Sequence, residues 1–94
     1  MNDKNYDDSV DYKESQYTEK FYIAFNELDD ELEKIKNGLT NHFQDWNEAY
    51  DAITLEMAKV GIQLKYPEQT DVNFLRRDAM QSAVLLFRLI TELL

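Results

Sequence analysis

The chain has 94 residues and no cysteine, and its 19 acidic residues exceed its 10 basic ones to give a formal net charge of -9. This length predicts a single small domain, and the lack of cysteine excludes a disulfide framework and thiolate metal sites. Phosphate binding needs a basic surface, and anionic membranes repel an acidic protein, so the charge argues against nucleic-acid and membrane ligands. It favours a basic protein partner, or else it only keeps the chain soluble. A cytoplasmic, reducing location fits the absence of cysteine.

The first part of the chain predicts an acidic arm followed by a long helix. We expect residues 1–14 to form a flexible arm and residues 15–94 to form one helical domain, because only 2 glycines and 1 proline interrupt the sequence. Gly38 stands where a left-handed residue would end this helix. Apolar residues at alternating spacings of four and three form its core-facing stripe: Phe21, Phe25, Leu28, Leu32, Ile35 and Leu39.

A second helix of similar length follows a short connection. Asn41 and Gln44 form a potential capping box at its start, and Gly61 is expected to end it. Its apolar residues repeat at the same alternating spacings, which predicts that they lie in the core: Phe43, Trp46, Tyr50, Ile53, Met57 and Val60. The two matched stripes predict an antiparallel hairpin of the first two helices.

The third helix is the most apolar part of the chain. After an extended connector at residues 62–66, Thr70 or Asp71 is expected to cap it, and nine of the twelve residues from Ala83 to Leu94 are apolar. One bundle-facing stripe cannot bury a helix that is apolar on nearly every side. We therefore expect self-association, with a dimer as the simplest form, through Val84, Leu85, Phe87 and Leu94. The alternative is that this helix is the buried centre of the monomer.

Motifs for chemistry are absent from the sequence. The one histidine, His42, has no glutamate spaced for a carboxylate-bridged metal site and no serine placed for nucleophilic catalysis, so we expect neither an enzyme nor a cofactor or metal. Carboxylates do cluster on the first two helices, and such rows can imitate a phosphate backbone. The candidate partner-binding acidic residues are Glu27, Asp30, Glu31, Asp45, Glu48 and Asp51.

A short segment of the third helix, from Met80 to Ile90, carries Gln81, then Ser82, an apolar stretch and Arg88 seven positions after the glutamine. This run resembles the last helix of the phage-encoded sponges that sequester cyclic oligonucleotide signals and so counter bacterial anti-phage defence. The resemblance implies a short, all-helical oligomer that binds its ligand between subunits. By analogy it implies Tyr17, Lys20 and Arg88 as ligand contacts, whereas simple pairing of Arg88 with Glu92 is the alternative.

Taken together, these patterns predict an all-α protein: a three-helix bundle made of a helical hairpin and a long apolar C-terminal helix. The function we expect is binding without catalysis, by a small phage or mobile-element inhibitor or adaptor that occupies a surface of a larger, nucleic-acid-handling protein. A cyclic-oligonucleotide sponge and a structural phage assembly component are the alternatives.

Overall fold

Three helices make up most of the part of the chain that the structure describes. The computed structural model describes residues 8–38 and 41–94, with side chains from Glu14 onward in the first range. Within these ranges α1 spans Asp8–Lys36, α2 spans Trp46–Lys65 and α3 spans Val72–Glu92, with a short 3-10 turn at Pro67–Gln69 and no strand. The predicted all-α, three-helix fold is confirmed. None of these helices is long and apolar enough to cross a bilayer.

The start of α1 differs from the prediction, whereas its end agrees with it. The helix begins at Asp8, so the second half of the predicted arm is helical, and residues 1–7 lie outside the described ranges. At the other end Gly38 has a φ of +79°, and its N–H donates to the Ile35 carbonyl at 3.0 Å. A residue without a Cβ adopts this left-handed conformation at little cost, so Gly38 ends α1 as predicted.

The boundaries predicted for α2 were wrong at both ends. The N-cap is Asp45, whose carboxylate accepts the Glu48 N–H at 2.9 Å, and not the proposed pair of Asn41 and Gln44. The helix then continues through Gly61 to Lys65, so the expected connector at residues 62–66 is mostly helical. A single interior glycine costs a helix only about 1 kcal/mol, which the surrounding turns outweigh. The Thr70 hydroxyl lies 2.9 Å from the Gln63 carbonyl oxygen and completes the end of the helix.

The helix α3 lies between the other two. Capped by Asp71, one of the two residues proposed for this position, it runs antiparallel to α2, with Gln63 donating to Asp78 at 2.7 Å. It runs parallel to α1, where Arg76 donates to Glu27 at 2.6 Å. Among the described residues α1 and α2 make no contact, so the antiparallel hairpin consists of α2 and α3 and not of α1 and α2. The tight turn at Pro67–Gln69 joins α2 to α3. The segment that links α1 to α2 passes the C-terminal end of α3, where the Phe43 N–H donates to Glu92 at 2.7 Å.

The core is small for three helices of this length. Its buried apolar side chains are Phe43, Ala49, Val84 and Leu85, and no large side chain in the described ranges is fully enclosed. The radius of gyration is 17.9 Å, with extents of 58 × 33 × 20 Å. A compact domain of this length would have a radius of gyration of about 12 Å. The helices therefore form an open layer with little interior of its own.

Candidate functional site

The arrangement of the helices gives the layer two distinct sides. Ala49 of α2 packs with Leu85 of α3, and Gln63 of α2 donates to Asp78 of α3, so these residues mark the sides on which the two helices face each other. Helical spacing places Glu56, seven residues from both Ala49 and Gln63, on the facing side of α2, and the buried Ser82 on the facing side of α3. A right-handed helix turns 100° per residue, so the residue after each facing position lies to one side. In an antiparallel pair this is the same side of the layer for both helices. The residues before the facing positions lie on the opposite side.

The first side is apolar across α2 and α3. In α2 the positions after facing residues hold Tyr50, Met57 and Leu64, and Trp46 lies on the same side one turn earlier. In α3 the corresponding positions from residue 79 onward are apolar: they are Ala79, Ala83, Leu86, Ile90 and Leu94. One turn earlier, Arg76 stands at the end of this stripe. All of these side chains are exposed. The two helices therefore present a continuous apolar surface to solvent.

The helix α1 extends this surface. Its Phe21 and Phe25 line one shallow depression together with Ala79 and Ala83 of α3, so they lie on the same side as the exposed apolar residues of that helix. Their rings stack with centroids 6.3 Å apart. Further along α1 a second depression joins Leu32 to Phe87, and charged side chains line its α1 edge, namely Asp29, Glu33 and Lys36. We call this side the apolar face, formed by Phe21, Phe25, Trp46, Tyr50, Met57, Leu64, Ala79, Ala83, Leu86, Phe87, Ile90 and Leu94.

Two residues predicted for an oligomer interface do not lie on the apolar face. Val84 and Leu85 are only 4% and 5% exposed, because Val84 packs towards α1 and Leu85 towards α2. Their prediction as interface residues was wrong, because α3 lies in the middle of the layer and is covered by α1 on one side and by α2 on the other. The alternative prediction, a third helix at the centre of the monomer, describes the chain better. Phe87 and Leu94, the other two, are exposed on the apolar face.

The aromatic residues predicted for the core are largely outside it. Of the five ring side chains proposed from helical spacing, only Phe43 is buried, while Phe21, Phe25, Trp46 and Tyr50 are exposed. Spacing of three and four places residues on one side of a helix but does not say what that side contacts. Here the side that contacts α3 is centred on the small residue Ala49, which allows the two helices to approach closely.

The opposite side of the layer carries the predicted acidic residues. Glu27 and Glu48 each stand one position before a facing residue, and Glu27, Asp30 and Glu31 line a depression with Arg77 and Gln81. The hydrogen bond from Arg76 is the main reason that the pKa of Glu27 is lowered, and Glu31 pairs with Lys34 at 2.8 Å. The hydrogen bond to Glu31 in turn raises the pKa of Lys34. We call the side that carries the six predicted acidic residues the acidic side.

These six residues form two groups and not one row. The α1 group lies beside Arg76, near the start of α3, whereas the α2 group lies beside Glu92, near its end. At ~1.5 Å per residue the two ends are about 24 Å apart. In the α2 group Asp45 caps the helix and Glu48 accepts the Gln44 N–H at 3.1 Å, so both have a structural role that their spacing did not reveal. Asp51 is exposed on the next turn.

Arg88 is held inside the protein. Its guanidinium donates to Glu92 at 3.0 Å and to the Asn41 carbonyl, and lies over the Phe43 ring at 4.2 Å from the centroid. The pairing with Glu92 that the sequence allowed is therefore the arrangement observed. A guanidinium engaged on these sides offers little to an external anion, so the predicted ligand role of Arg88 is not supported by its contacts.

The other two residues implied by the resemblance lie together on α1. Tyr17 and Lys20 line one shallow depression with Gln16 and Phe21. Arg88 of α3 lies beside Ile35 of α1. Ile35 is about 27 Å from Tyr17 along α1, at ~1.5 Å per residue. Within one chain the three predicted ligand contacts therefore do not form a single site.

Side chains that could ligate a metal do not cluster in the part of the chain that the structure describes. No group of histidine and carboxylate side chains there has a geometry that would hold a metal ion. His42, the one histidine, is exposed in the link between α1 and α2. The candidate sites are therefore surfaces, namely the apolar face and the acidic side.

Comparison with known proteins gives no further guide, because no family model, curated protein or solved structure matches this chain.

Proposed function

We propose that this protein is a non-catalytic binding protein whose acidic side docks on a basic surface of a larger protein. The observation that carries the proposal is that most basic side chains in the described ranges are already engaged within the chain. Five of them pair with neighbouring carboxylates, namely Lys34, Lys36, Lys59, Arg76 and Arg88. Lys65 and Arg77 lie over the aromatic rings of Tyr66 and Phe74.

The surplus of carboxylates is therefore left for a partner. With a net charge of -9, the field around the chain would steer a positively charged surface towards it and speed their association. A protein that handles nucleic acid has such a basic surface. In this role the chain is an inhibitor or an adaptor. Its phage or mobile-element origin and its cytoplasmic location are parts of the same proposal.

The test is to neutralise the α2 group without disturbing the helix. Asn caps a helix about as well as Asp, so the triple variant Asp45→Asn, Glu48→Gln and Asp51→Asn removes three charges and keeps the capping geometry. A labelled lysine-rich peptide serves as the probe. We expect its affinity for the triple variant to fall roughly tenfold, the sum of three modest surface charge interactions.

A matched control separates a local site from overall charge. The variant Glu14→Gln, Glu19→Gln and Glu68→Gln removes the same number of exposed carboxylates elsewhere. Under the proposal this control binds the peptide more tightly than the α2 variant does. Equal weakening of the two variants would mean that only net charge matters, and would contradict a docking site at the α2 group.

The second candidate is the cyclic-oligonucleotide sponge, and the observation in its favour is that Tyr17 and Lys20 share one depression. A ring and an ammonium group side by side could stack on a base and pair with a phosphate. This candidate predicts a thermal shift with a cyclic dinucleotide that is lost in Lys20→Ala. No shift at saturating nucleotide would exclude this class of ligand.

A further inference from the structure

The apolar face has the size of one side of a stable protein interface. It holds ten large apolar side chains, each exposed to a substantial degree. Taking half of the area that such a side chain can bury, the face offers roughly 1,000 Å² of apolar surface. The largest apolar patch on a typical monomer is about 300–600 Å², whereas each partner in a stable complex contributes about 800 Å². This face is therefore large enough to bind another protein.

The fold also lacks the second layer that would cover this face. Domains consist of at least two packed layers around a core, and here α1, α3 and α2 lie side by side as one layer. The few buried apolar residues of the monomer lie along the seams between helices and not beneath the face. Whatever covers the face must be present whenever the chain is folded. A second copy meets this condition, because it is synthesised together with the first.

The distribution of charge also favours a second copy of the chain as the partner that covers the apolar face. Along α2, and from Ala79 onward in α3, none of the positions after a facing residue carries a charge. Charged residues that line the depressions of the apolar face lie at its α1 edge: Arg76, Asp29, Glu33 and Lys36. The six acidic residues of the acidic side lie on the other side of the layer. A basic partner would be drawn to the acidic side, where it finds carboxylates. Two copies that meet through their apolar faces instead keep the carboxylates of the acidic side on opposite outer surfaces. A face made mostly of aromatic residues, Met and Leu, with charges only along its α1 edge, also has the composition of a homodimer interface.

From this we infer that two copies of the chain associate face to face through the apolar face, as a two-fold symmetric, two-layered dimer of six helices. The interface involves all three helices and not α3 alone. This inference does not depend on the acidic side having a partner. If the proposed function also holds, the dimer carries two acidic sides on opposite surfaces and is bivalent.

The chain contains closely matched pairs of residues for a test. Leu64 and Leu55 both lie on α2 with exposures of 63% and 60%, but only Leu64 belongs to the apolar face. Ile90 on the face and Ile62 off it are both 60% exposed. Each of the four is replaced by glutamate, so every variant carries the same change in charge and polarity. Solution mass is then measured by light scattering after size exclusion, over a range of concentrations, with helix content from circular dichroism.

We expect the wild-type chain to have the mass of a dimer. Because two-fold symmetry places each substitution in the interface twice, Leu64→Glu and Ile90→Glu should weaken the dimer roughly a hundredfold. Leu55→Glu and Ile62→Glu should leave it intact. If the two face variants lose helix as well as mass while the two controls keep both, the dimer is required for folding and the inference stands.

Three results would overturn the inference: a folded wild-type monomer at every concentration, equal weakening by face and control variants, or a mass larger than a dimer. Salt separates this test from that of the acidic side. Screening reduces repulsion between two copies of charge -9, so high salt should preserve or strengthen the dimer. The same salt should weaken binding of the lysine-rich peptide, so each proposal can fail without the other.

Discussion

Arg88 and Glu92 form an enclosed ion pair that ties the end of α3 to the start of the next segment of chain. Their side chains are only 9% and 6% exposed. Besides Arg88, Glu92 accepts the Phe43 N–H at 2.7 Å, while Arg88 also donates to the Asn41 carbonyl. A buried charge without its partner is expensive, because its desolvation is no longer offset. This pair therefore fixes where the link between α1 and α2 crosses the layer.

Removal of the arginine should accordingly be costly. Arg88→Met keeps the apolar stem but leaves the Glu92 carboxylate buried without its cation, and we expect a loss of about 3 kcal/mol in the free energy of unfolding. Urea denaturation followed by circular dichroism measures it. Arg76→Met, which breaks an ion pair exposed to solvent, serves as the control and should shift the midpoint little. Similar losses in both variants would contradict the structural role assigned to Arg88.

The same pair predicts a dependence of stability on pH. Burial raises the pKa of Glu92, but the hydrogen bonds from Arg88 and from the Phe43 N–H outweigh it, so the pKa lies below the ordinary value of 4.5. A lowered pKa means that the folded state favours the ionised carboxylate. The resulting stabilisation is complete above the pKa of the unfolded chain and is lost as the pH falls through that of the folded chain.

The comparison of wild type with Glu92→Gln isolates this contribution from that of the other carboxylates. At neutral pH the variant should unfold at lower urea concentration, because the neutral amide pairs less well with Arg88. As the pH falls below 4.5 the difference between the two proteins should shrink, since Glu92 itself becomes neutral. A difference that stays constant down to pH 3 would exclude Glu92 as the titrating group.

At the scale of the elements, the two glycines illustrate how alike two residues can look in a sequence. Both follow an apolar stripe, and both were predicted to end a helix. Gly38 does so with a positive φ, whereas Gly61 lies inside α2 with a helical φ. A Cβ added at either position would meet nothing within 4 Å, so backbone conformation alone distinguishes them.

Substitution by alanine should therefore have opposite effects at the two positions. Gly38→Ala forces a side chain into the left-handed region and should destabilise the protein by about 1 kcal/mol. Gly61→Ala replaces glycine in a helix interior and should stabilise it by about 0.5–1 kcal/mol. Urea denaturation of both variants under the same conditions measures the difference. Changes of the same sign would mean that one of the two helix boundaries is misplaced.

At the scale of the whole molecule, the single layer of helices buries few large apolar side chains. Each large apolar side chain moved out of water contributes about 1.5–3 kcal/mol, and small domains have a net stability of only about 5–15 kcal/mol. The apolar face alone holds more large side chains than the buried core does. Stability and association should for this reason be coupled in this protein.

Coupling of this kind makes the melting temperature depend on protein concentration. If the folded state is a dimer, dilution favours the unfolded chain and lowers the melting temperature. Calorimetry or circular dichroism over a wide concentration range measures the shift, which should be present in wild type and in Ile62→Glu. A melting temperature independent of concentration in wild type would contradict the coupling.

The sequence by itself determined the local structure. Apolar spacing, few glycines and one proline predicted three helices, and the position of Gly38 predicted one helix end. The start of α3 was predicted at Thr70 or Asp71, and the structure shows that Asp71 is the cap. These features depend on contacts within a few residues, which a linear pattern records directly. The pairing of Arg88 with Glu92 could be proposed from the sequence for the same reason, because the two residues lie one turn apart on the same helix.

Only the tertiary structure decided which helices pair and which sides they bury. An aromatic stripe has the same spacing in the sequence whether it faces a core, a second copy or solvent. This applies to Phe21 and Phe25 on α1 and to Trp46 and Tyr50 on α2. The placement of α3 in the middle depends on contacts between distant residues, such as Gln63 with Asp78 and Glu27 with Arg76. Those contacts turned Val84 and Leu85 inward and left the aromatic stripe on an open face. Periodicity fixes the direction of a side chain on its helix, but what that direction meets is set by the packing of the other helices.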